Sequence, residues 1–126
     1  MIQEQLAFLP GSLPDYQPFP PAKERAAWQA LPLRAKQRFL QAGETALQTS
    51  LAPLPLTLWL DFTRTGRRTA WETAYFSRRA RLCALVCAEC VEHKGRFLDA
   101  IADTIWTLCE ESAWQLPAHN SYVRDT

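Results

Sequence analysis

Between Gly66 and Pro117 the chain has no internal proline and a single internal glycine, Gly95. A stretch of that length holds two helices, and nothing in it forbids them. Before the glycine, Trp71, Tyr75, Leu82, Leu85, Glu89 and Glu92 recur at intervals of three, four or seven. After it, Phe97, Ile101, Ile105 and Leu108 recur at three or four. Each set falls on one face of a helix. The spacing predicts one helix over 68–94 and another over 97–112. His93 and Lys94 stand just before the glycine, where basic groups suit the negative end of a helix dipole. A tight turn at Gly95 then joins the two helices into an antiparallel hairpin. The rest of the chain is expected to pack on this hairpin and connect to it.

Residues 1–22 form the first expected segment. Met1–Leu9 is read as a short helical turn. Pro10–Pro21 holds five of the nine prolines and is expected to run extended, either pinned by Leu13, Tyr16 and Phe19 or as a loose linker. A helix is expected over 23–51, broken or kinked at Pro32, with Phe39, Leu40, Ala46, Leu47 and Leu51 as its apolar stripe. Pro53 and Pro55 end it. The connection 52–67 contains Leu56, Leu58 and Leu60 in alternation with polar or aromatic residues, which is a strand period. A lone strand has no partner, so this piece reads as an extended connection or as a helical turn with its leucines buried. The loop 113–126 completes an all-α chain.

Several classes of function are excluded or disfavoured. A chain of 126 residues has room for one domain, and a formal net charge of +1 sets up no field that would draw nucleic acid. No apolar run approaches the roughly 20 residues that span a bilayer, so no membrane partner is expected. Met1–Pro10 lacks the pattern of a secretory leader, and the expected address is the cytoplasm.

Four constellations could carry chemistry. Cys83, Cys87 and Cys90 crowd one helix, with Cys109 on the next. Zinc or redox chemistry is one reading; the other is a set of small buried hydrophobes, interleaved as they are with Leu82, Leu85, Val86 and Val91. The second reading is preferred: reduced thiols, mostly buried, no metal and no cofactor. Arg64, Arg67, Arg68, Arg78, Arg79 and Arg81 suit bidentate capture of a carboxylate, or salt bridges to Glu72, Asp61 and helix carbonyls. Asp99, Asp103, Trp106 and Glu110 line one side of a helix and could meet a sugar, or form a solvated face. Glu110 and Glu111 stand near a helix C-terminus, the unfavourable end for acids, and such a mismatch marks a site or a missing partner. Last, Trp114–Asn120 and Tyr122 bring indole, amide, histidine and phenol into one loop. There Trp114 is expected to pack back on the two helices as an anchor, while Asn120 either caps a following helix or sits with His119 at a cleft.

Several blocks together resemble a known family. They are Pro18–Ala22 with Arg25 and Trp28, Asp61–Arg68, Tyr75–Arg79, Ala88–Glu92 with Lys94–Asp99, and Ile105-Trp106 with Leu116–Asn120. They resemble the amino-terminal part of heparinase II/III-like proteins. The resemblance implies a partial α/α toroid of helical hairpins. It implies a parent polysaccharide lyase that cleaves uronate-containing glycans by β-elimination, with an acidic polysaccharide as partner. On this basis His119 and Asn120 are the candidate catalytic residues, and Arg64, Arg67, Trp106 and Tyr122 the candidate substrate contacts. The chain is expected to be a fragment that is inactive alone and self-associates. A small helical binding or regulatory module, oligomerising through apolar helix faces, is the alternative.

Overall fold

The computed structural model describes residues 18–119. The expected turn over Met1–Leu9, the pinning residues Leu13 and Tyr16, and the candidates Asn120 and Tyr122 lie outside the described residues. Within them the protein is all-helical, with no strand. The helices are α1 (Arg25–Gln29), α2 (Leu33–Gln48), α3 (Leu56–Thr65), α4 (Thr69–Glu92) and α5 (Leu98–Cys109), followed by a 3-10 turn at Pro117–His119. None is long and apolar enough to cross a membrane.

The chain divides into two compact units, Met1–Ala30 and Leu31–Thr126. The division falls after α1, just before Pro32. A proline lacks the N–H that would continue a helix, so the expected helix over 23–51 is two helices, with Pro32 capping α2. In the first unit the Trp28 indole donates to the Pro21 carbonyl at 3.2 Å, and Arg25 Nη1 donates to the Ala22 carbonyl at 2.8 Å. These bonds fasten the chain before α1. Phe19 does not act as a pin: it is 75% exposed.

In the second unit, α3 resolves the ambiguity of the leucine alternation. Leucine is a strong helix former, and Pro55 stands just outside the first turn, where its missing N–H costs nothing. The leucines are less buried than the helical reading required: Leu58 and Leu60 are half-buried and Leu56 is exposed. Gly66, at φ 75°, ends the helix in the left-handed conformation.

The apolar core lies between α2, α4 and the start of α5. Ala46, Leu85, Ala88 and Phe97 form it, with Leu85, Ala88 and Phe97 fully buried. Burying a side chain of the size of Leu85 or Phe97 stabilises by about 1.5–3 kcal/mol. Gly43 sets the approach of α2 to α4: a Cβ at this position would stand 2.3 Å from the Ala88 Cβ and 3.0 Å from Phe97 Cε1. No larger residue fits without moving a helix.

The turn between α4 and α5 is fixed by an acid. Glu89, 9% exposed, accepts the Gly95 N–H at 2.7 Å and the Phe97 N–H at 3.3 Å. The chain reverses through His93 at φ 58° and Gly95 at φ 80°. Arg96 pairs with Glu92 and with Glu44 of α2, and the hydrogen bond from Arg96 holds the Glu44 carboxyl below its ordinary value. Arg81 of α4 donates to the carbonyls of Ala46 and Thr49 at the end of α2, a cation on the negative end of a helix dipole. Its Nε also donates to Thr104 Oγ1 of α5 at 3.4 Å. Along α4 the partners run Glu89, Arg81, Arg78, Tyr75, and on the return they run Phe97, Thr104, Glu111, Trp114. The returning chain is therefore antiparallel to α4.

Candidate functional site

At the amino-terminal end of α4 the core changes character. Trp71, Tyr75 and Arg78 continue the buried face of the helix at spacings of four and three, but they bring indole, phenol and guanidinium in place of aliphatic groups. The Tyr75 hydroxyl donates to the Trp114 carbonyl at 2.8 Å. Trp114 thus anchors the loop through its backbone. Its indole is 64% exposed and is not the anchor that the sequence suggests.

Glu111 lies within this end of the core, with a side chain only 3% exposed. Its Oε1 stands 3.0 Å from Arg78 Nη1 and its Oε2 stands 2.6 Å from Arg79 Nη2. Arg79 also stacks on the Tyr75 ring, 3.2 Å from its centroid. One carboxylate thus faces two guanidinium groups. The mismatch of an acid near a helix C-terminus is resolved: the partner is the arginine pair on α4.

Beside this triad lies a cleft of about 680 Å³. Leu54, Leu56 and Trp59 form one wall, Trp71 and Arg78 another, and Thr107 with Glu110–Ala113 a third. Trp59 and Trp71 meet edge to face, with centroids 5.1 Å apart at 84°. Trp71 Nε1 and Arg78 Nε are buried N–H donors with no protein acceptor, and they are the only such side-chain atoms among the described residues. A buried donor left unpaired costs about 1–3 kcal/mol.

The candidates drawn from the sequence lie elsewhere: neither Arg64, Arg67, Trp106 nor His119 lines this cleft. Arg64 is exposed at the end of α3. Arg67 Nη2 pairs with Asp61 at 3.3 Å, and Arg68 pairs with Glu72 at 3.5 Å, so both have the salt-bridge partners named from the sequence. Trp106 is 70% exposed on α5 and donates its indole N–H to Glu110 Oε1 at 2.9 Å. His119 is exposed and its backbone N–H donates to the Leu116 carbonyl at 3.0 Å, within a 3-10 turn that packs against α3.

The thiols are less buried than expected. Cys83 and Cys109 are exposed, Cys87 and Cys90 are half-buried, and none of the four forms a disulfide. The buried face of α4 is the Leu85–Ala88–Glu89 face, and the cysteine positions fall beside it. Burial, and then the neighbouring Cys83 and Cys90 thiols, push the Cys87 thiol above its ordinary value. Among the described residues no group of three His, Cys, Asp or Glu side chains could hold a metal.

The sequence places Arg78 among six arginines suited to a carboxylate without singling it out, and it misses Trp71 as a site residue because Trp71 obeys the helical core period. The one available signal was an arginine on an otherwise apolar stripe. Compared with known proteins, the chain matches no family model and no curated protein.

Proposed function

We propose that the protein handles uronate-containing glycans as the amino-terminal helical part of a heparinase II/III-like polysaccharide lyase. The cleft walled by Trp59 and Trp71 beside Arg78 is the observation that supports this reading. Indole faces suit the apolar face of a pyranose, and an arginine suits its carboxylate. The sequence blocks that resemble the family are the second support. In the family's chemistry a base removes the proton next to the carboxylate while another group neutralises that carboxylate. Both must stand within hydrogen-bond reach of one sugar. Arg67 is occupied by Asp61, and His119 lies outside the cleft. The chain alone is therefore assigned binding rather than elimination. Glycan-array binding tests the reading: uronate-bearing chains should be retained over neutral ones, with no unsaturated uronate released. Equal retention of neutral glycans, or none of any kind, would remove it.

A further inference from the structure

We propose that two copies of this chain pair through the outer face of α5, helix against helix in antiparallel sense. This goes beyond the glycan reading and does not depend on it.

A surface helix needs one apolar face, and α5 carries two. Thr104 and Leu108 are buried and Ile101 is half-buried, with the buried Phe97 just before the helix; this is the face that packs inward. Leu98, Ala102, Ile105 and Cys109 form the second face, and all four are exposed, Leu98 at 54% and Ile105 at 46%. Trp106, 70% exposed, stands at the edge of that face. Asp99, Asp103 and Glu110 fall on the flank beyond Trp106, where they stay in water when the seam is covered.

The spacing within the second face points to its occupant. Leu98, Ala102, Ile105 and Cys109 follow one another at intervals of four, three and four, the seam by which one helix meets another in a coiled coil. The seam runs the whole length of α5 and is symmetric about its midpoint. Turned end for end against itself, it sets Leu98 opposite Cys109 and Ala102 opposite Ile105. Each layer then joins a large side chain to a small one, which fills the space evenly, as close packing requires. A two-fold axis through the midpoint repeats each layer, the pattern of an isologous interface. Parallel pairing would set Ile105 on Ile105 and Ala102 on Ala102, crowding one layer and leaving a gap in the other. Antiparallel pairing also brings opposite ends of the two helix dipoles together.

The area sets the strength. Together these residues present roughly 400 Å² on each copy, within the range of the largest apolar patch on a monomer. A standard interface takes about 800 Å² from each partner. The pair is therefore a weak one, with a dissociation constant on the order of 100 μM.

Sedimentation of the full chain at concentrations up to about 1 mM should show monomer passing to dimer. Ile105→Glu should weaken the dimer by about tenfold or more, because each copy would bury a charge. Ile105 is exposed in the single chain, so this variant should fold, which circular dichroism checks. Phe76→Glu, at an exposed apolar residue of α4, should leave the dimer unchanged. Orientation is read without any substitution, from isotope-filtered NOEs in a mixture of labelled and unlabelled chain. Leu98 methyl protons should meet the Cys109 β protons. Within one helix those residues stand about 16 Å apart, beyond NOE reach, so the signal comes only from a second copy. A chain that stays monomeric up to about 1 mM would overturn the proposal. So would a dimer that survives Ile105→Glu or is lost in Phe76→Glu, or NOEs from Leu98 to Leu98 of the second copy.

Discussion

Around the carboxyl-terminal half of α4, Leu85 and Ala88 meet Ala46 and Phe97 in a dry contact that Gly43 allows to close, and the one buried acid there, Glu89, has two backbone donors. Around the amino-terminal half, Trp71, Tyr75 and Arg78 meet Glu111, a loop carbonyl and a cleft, and two donors have no partner. The same helix period delivers both faces. What differs is the chemistry carried on it: aliphatic groups gain from every contact, whereas a guanidinium or indole needs a matched acceptor as well. One end of α4 is thereby optimised for stability, and the other retains unused hydrogen-bonding capacity, as binding sites do.

The largest effect should come from the dry end. Phe97→Ala removes a fully buried ring and leaves a cavity between α2 and α4, and should cost about 3–5 kcal/mol in chemical denaturation. A loss below about 1 kcal/mol would mean the core can collapse around the gap and is not the rigid half. Gly43→Ala comes next. Alanine gains up to about 1 kcal/mol in helix propensity. Against that, the new Cβ would meet Ala88 at 2.3 Å, and separating the helices should cost about 1–3 kcal/mol. A stabilised Gly43→Ala variant would show that the close approach is not required. At the cleft end the effect should be smallest: Trp71→Phe deletes an unpaired donor, a gain of about 1–3 kcal/mol, and shrinks a buried ring, a loss of similar size, so its stability should stay within about 1 kcal/mol of the parent chain.

The pattern of legibility follows the same division. In the α4–α5 pair periodicity reports most of the buried face and Gly95 marks the reversal, but Ile105 is 46% exposed and Thr104 is buried in its place. Gly43 was not readable, since a glycine inside a helix looks only like a weak helix former until a neighbour's Cβ is placed against it. Leu56–Thr65 was ambiguous because leucine alternation fits both a strand and a short helix, and only packing decides. At the site, the acid at the end of α5 announced a missing partner, but no spacing rule connects Glu111 to Arg78 and Arg79 across a turn. Trp114 is misleading for a related reason: a large aromatic reads as the anchor, whereas its backbone carbonyl is what Tyr75 holds.

The central claim is that stability is distributed unevenly along α4, with the dry half closed and the cleft half open to adjustment. Native-state hydrogen exchange along this one helix tests it most directly. The amides of residues 85–90 should exchange only through global unfolding, tracking the full unfolding free energy under added denaturant. Those of residues 71–78 should exchange through smaller openings at measurably lower free energy. Equal protection along the whole helix, or greater protection at residues 71–78, would contradict the account.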